Sequence, residues 1–392
     1  MSFTPLLQQD VQAFIDLHLK TPVNTLAFKK NPFPTLDYKL ILQQIESKVK
    51  AEKKLPTWYK TANILYPSKL SIEQTSSEIT AAYKAQWVEG STLVDLTGGF
   101  GIDSFYFSKR MKQVIHCEHQ ESLSQMVDHN FKTLGVNNCH CIAGDGLEWL
   151  RKNKAQVDWI YVDPSRRHEQ KGKVFLLADC EPNVPELLTD YWQFTNQILL
   201  KVAPILDITS AVRELEFVKE VIVVAVDNEV KELLFVLQKN WSKPYKIQAT
   251  SLHKDQRIDT FQFEFSESAS PNLALPKTYL YEPNSALMKS GGYDLLATQN
   301  NLDKLHPFTH LYTSNDLIAY SGRRFKIDQV VEFSKETMKG LKGNNYSIAT
   351  RNFPESVEQL RNKWKIKDGG NQYLFFVTLK DHQKAVLFTS KV

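Results

Sequence analysis

The sequence predicts an α/β protein built on a doubly wound parallel sheet, with a helical lobe before it and an α+β region after it. Three observations carry this. Between residues 92 and 265, short apolar runs alternate with helical stretches at a repeat of about 20–25 residues. Residues 5–88 show only helical spacing of apolar positions. After the polar, proline-containing stretch 266–276, strands and helices are short and mixed. At 392 residues the chain has room for two or three domains of roughly 150 residues. With 42% hydrophobic and 23% charged residues, it is not a wholly disordered, collagenous or coiled-coil chain.

In the helical lobe, Leu6, Leu7, Val11, Phe14 and Ile15 recur at helical spacing. Tyr38–Val49 repeats the pattern, and Ser71–Trp87 is expected as a third helix with Ser71 and Gln74 as a capping box. The sheet then begins. Residues 92–96 (TLVDL), 114–119 (VIHCEH), 139–145 (CHCIAGD) and 157–164 (VDWIYVDP) are expected strands, with helices over 103–110, 121–134 and 147–153. Further strands are expected in 197–207, 218–228, 232–239 and 259–265, the last two as an antiparallel edge pair. In the C-terminal region, 325–333, 346–350, 373–379 and 385–390 read as strands, and 334–342 and 354–364 as helices.

No apolar run approaches the roughly 18 residues needed to span a bilayer, and the first residues lack the basic and apolar regions of a signal peptide. Four cysteines are too few for a disulfide framework, so a reducing cytoplasm is expected. Cys139, His140 and Cys141 are too tightly spaced for a zinc site without a second pair, and no metal is expected. The net charge of +4 is unevenly spread: +4 over 1–88, −7 over 89–320 and +7 over 321–392. An acidic body between basic ends points to a polyanionic partner.

The turn after the first strand is Asp95-Leu96-Thr97-Gly98-Gly99-Phe100-Gly101. Glu118 ends the second strand, placed to accept both ribose hydroxyls of an adenosine ligand. Asp145 ends the third, where it can meet an adenine edge. The acid at 95 would repel a pyrophosphate but attract an amino group, which favours S-adenosylmethionine over a dinucleotide.

These landmarks resemble those of class I S-adenosylmethionine-dependent methyltransferases, over about 90–265. The first motif is matched by Asp95, Gly99 and Gly101, with Thr97 where many members have glycine; Glu118 and Asp145 match the next two, and Asp163-Pro164-Ser165-Arg166-Arg167 falls at the fourth-strand motif. The stretches 73–85 (EQTSSEITAAYKA), 199–208 (LLKVAPILDI), 321–327 (SGRRFKI) and 351–361 (RNFPESVEQLR) extend the likeness. They resemble bacterial class I methyltransferases with a C-terminal THUMP-like domain preceded by a ferredoxin-like piece, akin to trimethylguanosine synthase-like RNA methyltransferases.

The resemblance implies a helical lobe at 1–88, a Rossmann-like seven-stranded methyltransferase domain at 89–270, a ferredoxin-like piece at 271–320 and a THUMP-like RNA-binding domain at 321–392. It implies S-adenosylmethionine as cofactor, held by Thr75, Asp95, Thr97, Gly99, Gly101, Glu118, His119, Asp145 and Gly146. Structured RNA, ribosomal or transfer, is the implied substrate, methylated at a base nitrogen with guanine favoured. Asp163 and Pro164 would orient the acceptor. Ser165 and Arg166 replace the second proline and the aromatic of the amino-methyltransferase motif, so Arg166 would stack on or pair with a base. Arg167, Lys201, Arg323, Arg324, Arg351 and Arg361 are expected to contact RNA. The terminal aromatics Phe325, Phe353 and Trp364 either stack on bases or pack in a core. Two alternatives stay open: a small-molecule methyltransferase, and an RNA-binding protein with a relict cofactor site.

Overall fold

A computed structural model of the chain describes residues 3–166 and 176–392. The chain divides into two compact units. One comprises Met1–Glu220 and Glu232–Lys243, the other Val221–Lys231 and Pro244–Val392.

In the first unit the helical lobe precedes the sheet. The helix Tyr38–Lys54 starts at Asp37, whose carboxylate accepts from Lys39 N. The single helix expected over 71–87 is two helices, Lys69–Gln74 and Glu78–Lys84. Ser68 and Ser77 are their caps, accepting from Ser71 N and Thr80 N, so each serine bonds the amide three residues on and starts its own helix. The break falls at Thr75–Ser76.

Strands β1 (Thr92–Asp95), β2 (Gln113–Glu118), β3 (Cys139–Ala143) and β4 (Trp159–Val162) follow the sequence expectation. A short antiparallel ladder joins β5 (Ser165–Arg166) to β6 (Cys180–Glu181). Then comes β7 (Gln197–Val202). Strands β8 (Val218–Val226) and β9 (Glu229–Gln238) carry the chain into the second unit and back. Between them stand Asp227 and Asn228, both at positive φ, as a tight hairpin turn requires. Within the first unit the strand order is β9-β7-β4-β1-β2-β3. Pairing is parallel from β7 to β3. The order reverses at β1, which places a crevice at its carboxyl end.

The expected edge pair is corrected. β9 runs antiparallel to β7, from Gln197 opposite Gln238 to Val202 opposite Leu233. The partner of β11 (Ile258–Glu264) is β10 (Lys246–Leu252), a strand that the polar sequence KIQATSL did not announce.

The second unit also holds a seven-stranded sheet. Its strands are β12 (Tyr279–Pro283), β13 (Asp303–Lys304), β14 (Tyr312–Ser314), β15 (Gly322–Glu332), β16 (Asn345–Arg351), β17 (Lys367–Thr378) and β18 (Lys384–Lys391). Their order is β13-β14-β12-β15-β18-β17-β16. Leu374 and Phe376 pack with Met338 and Leu360 of the helices Lys335–Gly340 and Val357–Trp364, while Phe375 and Val377 pack with Leu280 and Phe325. Alternate residues of β17 thus feed two cores, each buried side chain contributing about 1.5–3 kcal/mol. Phe325 is core, and Phe353 and Trp364 pack against the helix-side core. These aromatics are therefore structural.

Candidate active site

The carboxyl ends of β1 to β4 open onto one cleft of about 740 Å³ in the first unit. Thr75, Asp95, Thr97, Gly99, Glu118, His119, Asp145, Gly146 and Asp163 all line it. Gly101 stands just behind, as the cap of the helix Ile102–Ser108.

The glycine turn is bonded at nearly every step. Thr97 N donates to Asp95 Oδ1 at 3.0 Å and Gly98 N to Cys117 O at 2.8 Å. Gly99 N donates to Glu118 Oε2 at 2.9 Å. Thr97 Oγ1 accepts from Asp163 N at 2.7 Å, which ties the turn to the end of β4. Two glycines have distinct reasons to be there. A Cβ on Gly98 would lie 2.2 Å from Cε1 of His116. A Cβ on Gly99 would meet only Thr97 O, at 3.9 Å, and would stand in the open cleft.

Asp95 is buried beneath this turn. Its Oδ2 accepts from Ser104 Oγ at 2.6 Å, and Ser104 Oγ is 3.1 Å from His116 Nδ1. Burial pushes the Asp95 carboxyl up to about 7 and the His116 imidazole down to about 4. His116 is therefore neutral at pH 7, and its buried Nε2 has no partner among the described residues.

Glu118 accepts from Gly99 N through one oxygen and from Gln120 N, at 2.8 Å, through the other. Asp145 caps the helix Gly146–Asn153 through Oδ1, which accepts from Glu148 N. Its Oδ2 lies 3.7 Å from Nε2 of His119, an exposed side chain at the cleft rim. A Cβ on Gly146 would collide with Leu96, 2.6 Å away.

At the end of β4, Asp163 Oδ2 binds Lys201 Nζ, while its Oδ1 has no partner among the described residues. Pro164 is buried beside it. Lys201 was expected to meet RNA. It is instead largely buried behind Asp163 and does not line the cleft. Burial alone would lower its ammonium, but the carboxylates of Asp163, Asp103 and Glu232 more than offset this and raise it. The backbone of Arg166 pairs with Cys180. The side chain of Arg166 and the whole of Arg167 lie outside the described residues.

Sequence reasoning missed what lies under the cleft. Lys84 is fully buried, and its Nζ is 2.8 Å from Asp103 Oδ1, 3.1 Å from Glu232 Oε2 and 3.0 Å from Ser76 Oγ. Asp103 Oδ2 accepts from Tyr161 OH and Ser76 Oγ. Burial would raise the Asp103 carboxyl, but the ammonium groups of Lys84 and Lys201 outweigh it and hold Asp103 low. For Glu232 burial wins over the same two lysines, and the carboxyl is raised. The one local signal was a lysine inside the apolar stretch 81–87 (AAYKAQW).

In the second unit, three of the four arginines expected to contact RNA are occupied by carboxylates. Arg323 and Arg351 converge on the buried Glu282, at 2.5 and 2.6 Å. Arg361 binds Asp368 at 2.6 Å and Tyr346 O at 3.0 Å. Arg324 donates to Ile318 O at 3.2 Å and has no carboxylate partner among the described residues.

Among the described residues no cluster of His, Cys, Asp and Glu could hold a metal ion, and no helix is long and apolar enough to cross a membrane. No disulfide joins any of the four cysteines.

A ferredoxin-like domain family matches residues 279–320, and a THUMP domain-like family matches 322–391. No curated protein is similar to the chain. The chain is similar to the crystal structure of a presumed methyltransferase from Porphyromonas gingivalis W83, with 32% identity and a TM-score of 0.89, over 100% of this chain and 99% of that one. It is partly similar to an rRNA methylase from Streptococcus thermophilus, at 17% identity and a TM-score of 0.30, over 41% of this chain and 94% of that one. It is also partly similar to TrmK of M. capricolum in complex with S-adenosylhomocysteine, at 13% identity and a TM-score of 0.32, over 42% of this chain and 70% of that one. The first of these likenesses runs end to end and takes in the THUMP-like segment, and the chain belongs to the class I S-adenosylmethionine-dependent methyltransferases that carry a C-terminal THUMP-like domain.

Proposed function

We propose that the chain methylates a base nitrogen of structured RNA, ribosomal or transfer, with guanine favoured, in the cytoplasm. The observation that carries this reading is Asp163. Lys201 holds one of its oxygens, and the other has no partner among the described residues, at the edge of the cleft that contains the glycine turn.

The residues present fit S-adenosylmethionine. The Gly99 Cβ position is open toward the cleft, and the strand-end acids offer acceptors for hydroxyl and amine hydrogens. Bound there, the cofactor supplies a methyl group on a sulfonium centre. Glu118 accepts from the ribose hydroxyls, and Asp145 with the Gly146 backbone meets the adenine. Asp95 places negative charge under the end of the turn where an amino group would sit. Thr75 closes the cleft from the helical lobe, and His119 borders the ribose end.

In-line displacement asks the enzyme mainly to position two reactants. The free oxygen of Asp163 accepts a hydrogen of the attacking amine and turns its lone pair toward the methyl group. Pro164 stiffens the backbone that presents it. Arg166 and Arg167 stand next in sequence to engage the base or a phosphate.

The THUMP-like segment supports RNA over a small molecule as substrate, and four cysteines with no disulfide among them support a reducing compartment. The test is methyl transfer to total RNA followed by nucleoside mass spectrometry, with calorimetry of cofactor binding. Asp163→Ala should cut turnover by at least about 100-fold while cofactor affinity changes little, in line with the loss of a positioned proton acceptor. Wild-type turnover in that variant would remove Asp163 from the active centre. A modified nucleoside other than an N-methylated base would overturn the acceptor assignment.

A further inference from the structure

Since the arginines expected to hold RNA are mostly occupied, the basic charge of the last 72 residues must act elsewhere. Four of its ten lysines stand at one end of the edge strand β16. The loop 341–344 leads into β16, and residues 365–366 lead into its neighbour β17, whose first residues run from Lys367. The two are stitched together: Gly343 N donates to Lys365 O at 3.0 Å, Lys367 N to Asn344 O at 2.9 Å, and Asn345 Nδ2 to Asp368 O at 3.1 Å. Between Tyr346, opposite Asp368, and Ser347, opposite Tyr373, residues 369–372 bulge out of the ladder.

This double loop carries Lys342, Lys365 and Lys367, with Lys339 one turn before it on the preceding helix. All four lysines are exposed, and none has a carboxylate partner among the described residues. Of the acids nearby, Asp368 is engaged by Arg361 and Glu355 by Lys363, while Glu336 shares the short helix of Lys339. At Gly343 and Gly369, both at positive φ, a Cβ would meet nothing within 4 Å. The rim is thus low, bare backbone with free ammonium groups standing around it. Compact ammonium charges on flexible stems suit a run of phosphates, whereas base-edge readout would call for planar forks.

We propose that this lysine rim binds the phosphodiester backbone of RNA and is the main electrostatic anchor of the protein on its substrate. The proposal rests on the RNA reading above and moves the anchor from the arginines to the lysines. Because phosphate contacts carry no sequence information, any folded RNA serves as probe.

The test uses the full chain and fluorescently labelled unfractionated tRNA, titrated from about 50 to 200 mM salt, a range over which counterion release is resolved. Changing Lys339, Lys342, Lys365 and Lys367 together to Gln should raise the RNA Kd at least about tenfold and flatten the log–log salt slope by about 3. The same four changed to Arg should retain wild-type binding. S-adenosylmethionine affinity should be unaltered in both, which also reports correct folding. If the wild-type chain binds tRNA but the Gln variant binds with the same affinity and slope, the rim is not the anchor, while the RNA reading stands. If the wild-type chain binds no tRNA at 50 mM salt, both fall. Binding to anionic phospholipid vesicles without binding to tRNA would assign the rim to a membrane surface and overturn the proposal.

Discussion

Lys84→Met tests whether the charges under the cleft hold the first unit together. Methionine keeps most of the lysine volume and removes its ammonium group. Asp103 and Glu232, both buried, then lose contacts at 2.8 and 3.1 Å. Breaking a buried pair by deleting one partner costs about 3–5 kcal/mol, because the remaining charge is left without compensation. Each kcal/mol lowers Tm by about 2–4 °C in a unit of this size, so calorimetry at pH 7.5 should show a drop of about 6–20 °C. The pH dependence gives a second readout. The Asp103 carboxyl is held below its unfolded value, so its contribution is present above an unfolded pKa of about 3.9 and is lost as pH falls through the lower folded one. The gap between variant and wild type should therefore be widest near neutrality and narrow below about pH 4. Adding Asp103→Asn and Glu232→Gln should recover part of the loss, because the stranded charges go with the ammonium. A Lys84→Met protein melting within about 2 °C of wild type at neutral pH would refute the reasoning.

Glu118→Ala should weaken S-adenosylmethionine binding roughly 10–150-fold by calorimetry, the loss of about 1.5–3 kcal/mol expected for hydrogen bonds to a charged acceptor. Unchanged affinity would free this strand end from the ribose. Gly98→Ala should destabilise by about 1–3 kcal/mol in urea unfolding, because its Cβ would lie 2.2 Å from the His116 ring. His116→Ala should rescue it, and failure of the rescue would place the strain elsewhere. Cofactor affinity should rise with pH and level off above about 7, because the buried Asp95 carboxyl, raised to about 7, must lose its proton before it can attract an ammonium group. Asp95→Asn should abolish that dependence, and a wild-type profile flat from pH 5.5 to 8.5 would sink it.

The parts of the protein that sequence displayed well are local. The glycine turn, the acids at 118 and 145 and Asp163 each stand at the end of a short apolar run, so a contiguous stretch announces both the strand and its terminal residue. The parts it hid depend on residues far apart in the chain. Glu282 lies 41 residues from Arg323 and 69 from Arg351, and no local pattern says that the three will meet. Lys201 faces Asp163 across 38 residues. The helix expected over 71–87 is interrupted because Ser77 caps a new helix, leaving Thr75 and Ser76 between the two. The strand Lys246–Leu252 escaped because three of its seven residues are Gln, Thr and Ser, and its fitness as a strand comes from pairing with β11.

The chain leaves the first unit at Glu220 and returns at Glu232, so neither unit is a continuous piece of polypeptide. On the ribosome, everything up to Glu220 emerges without the strand that supplies Glu232 to the buried Lys84. That half-built unit waits with an ammonium group short of one counter-charge until β9 arrives. A cut at residue 220 would deliver a fragment in the same unfinished state. A fragment starting at 244 would likewise lack Val221–Lys231, which belongs to its own unit. Dissection of this enzyme into an isolated methyltransferase unit and an isolated THUMP-like unit therefore calls for a rewired chain order, in which 221–231 is fused ahead of 244 and 232–243 is bridged to 220 by a short linker.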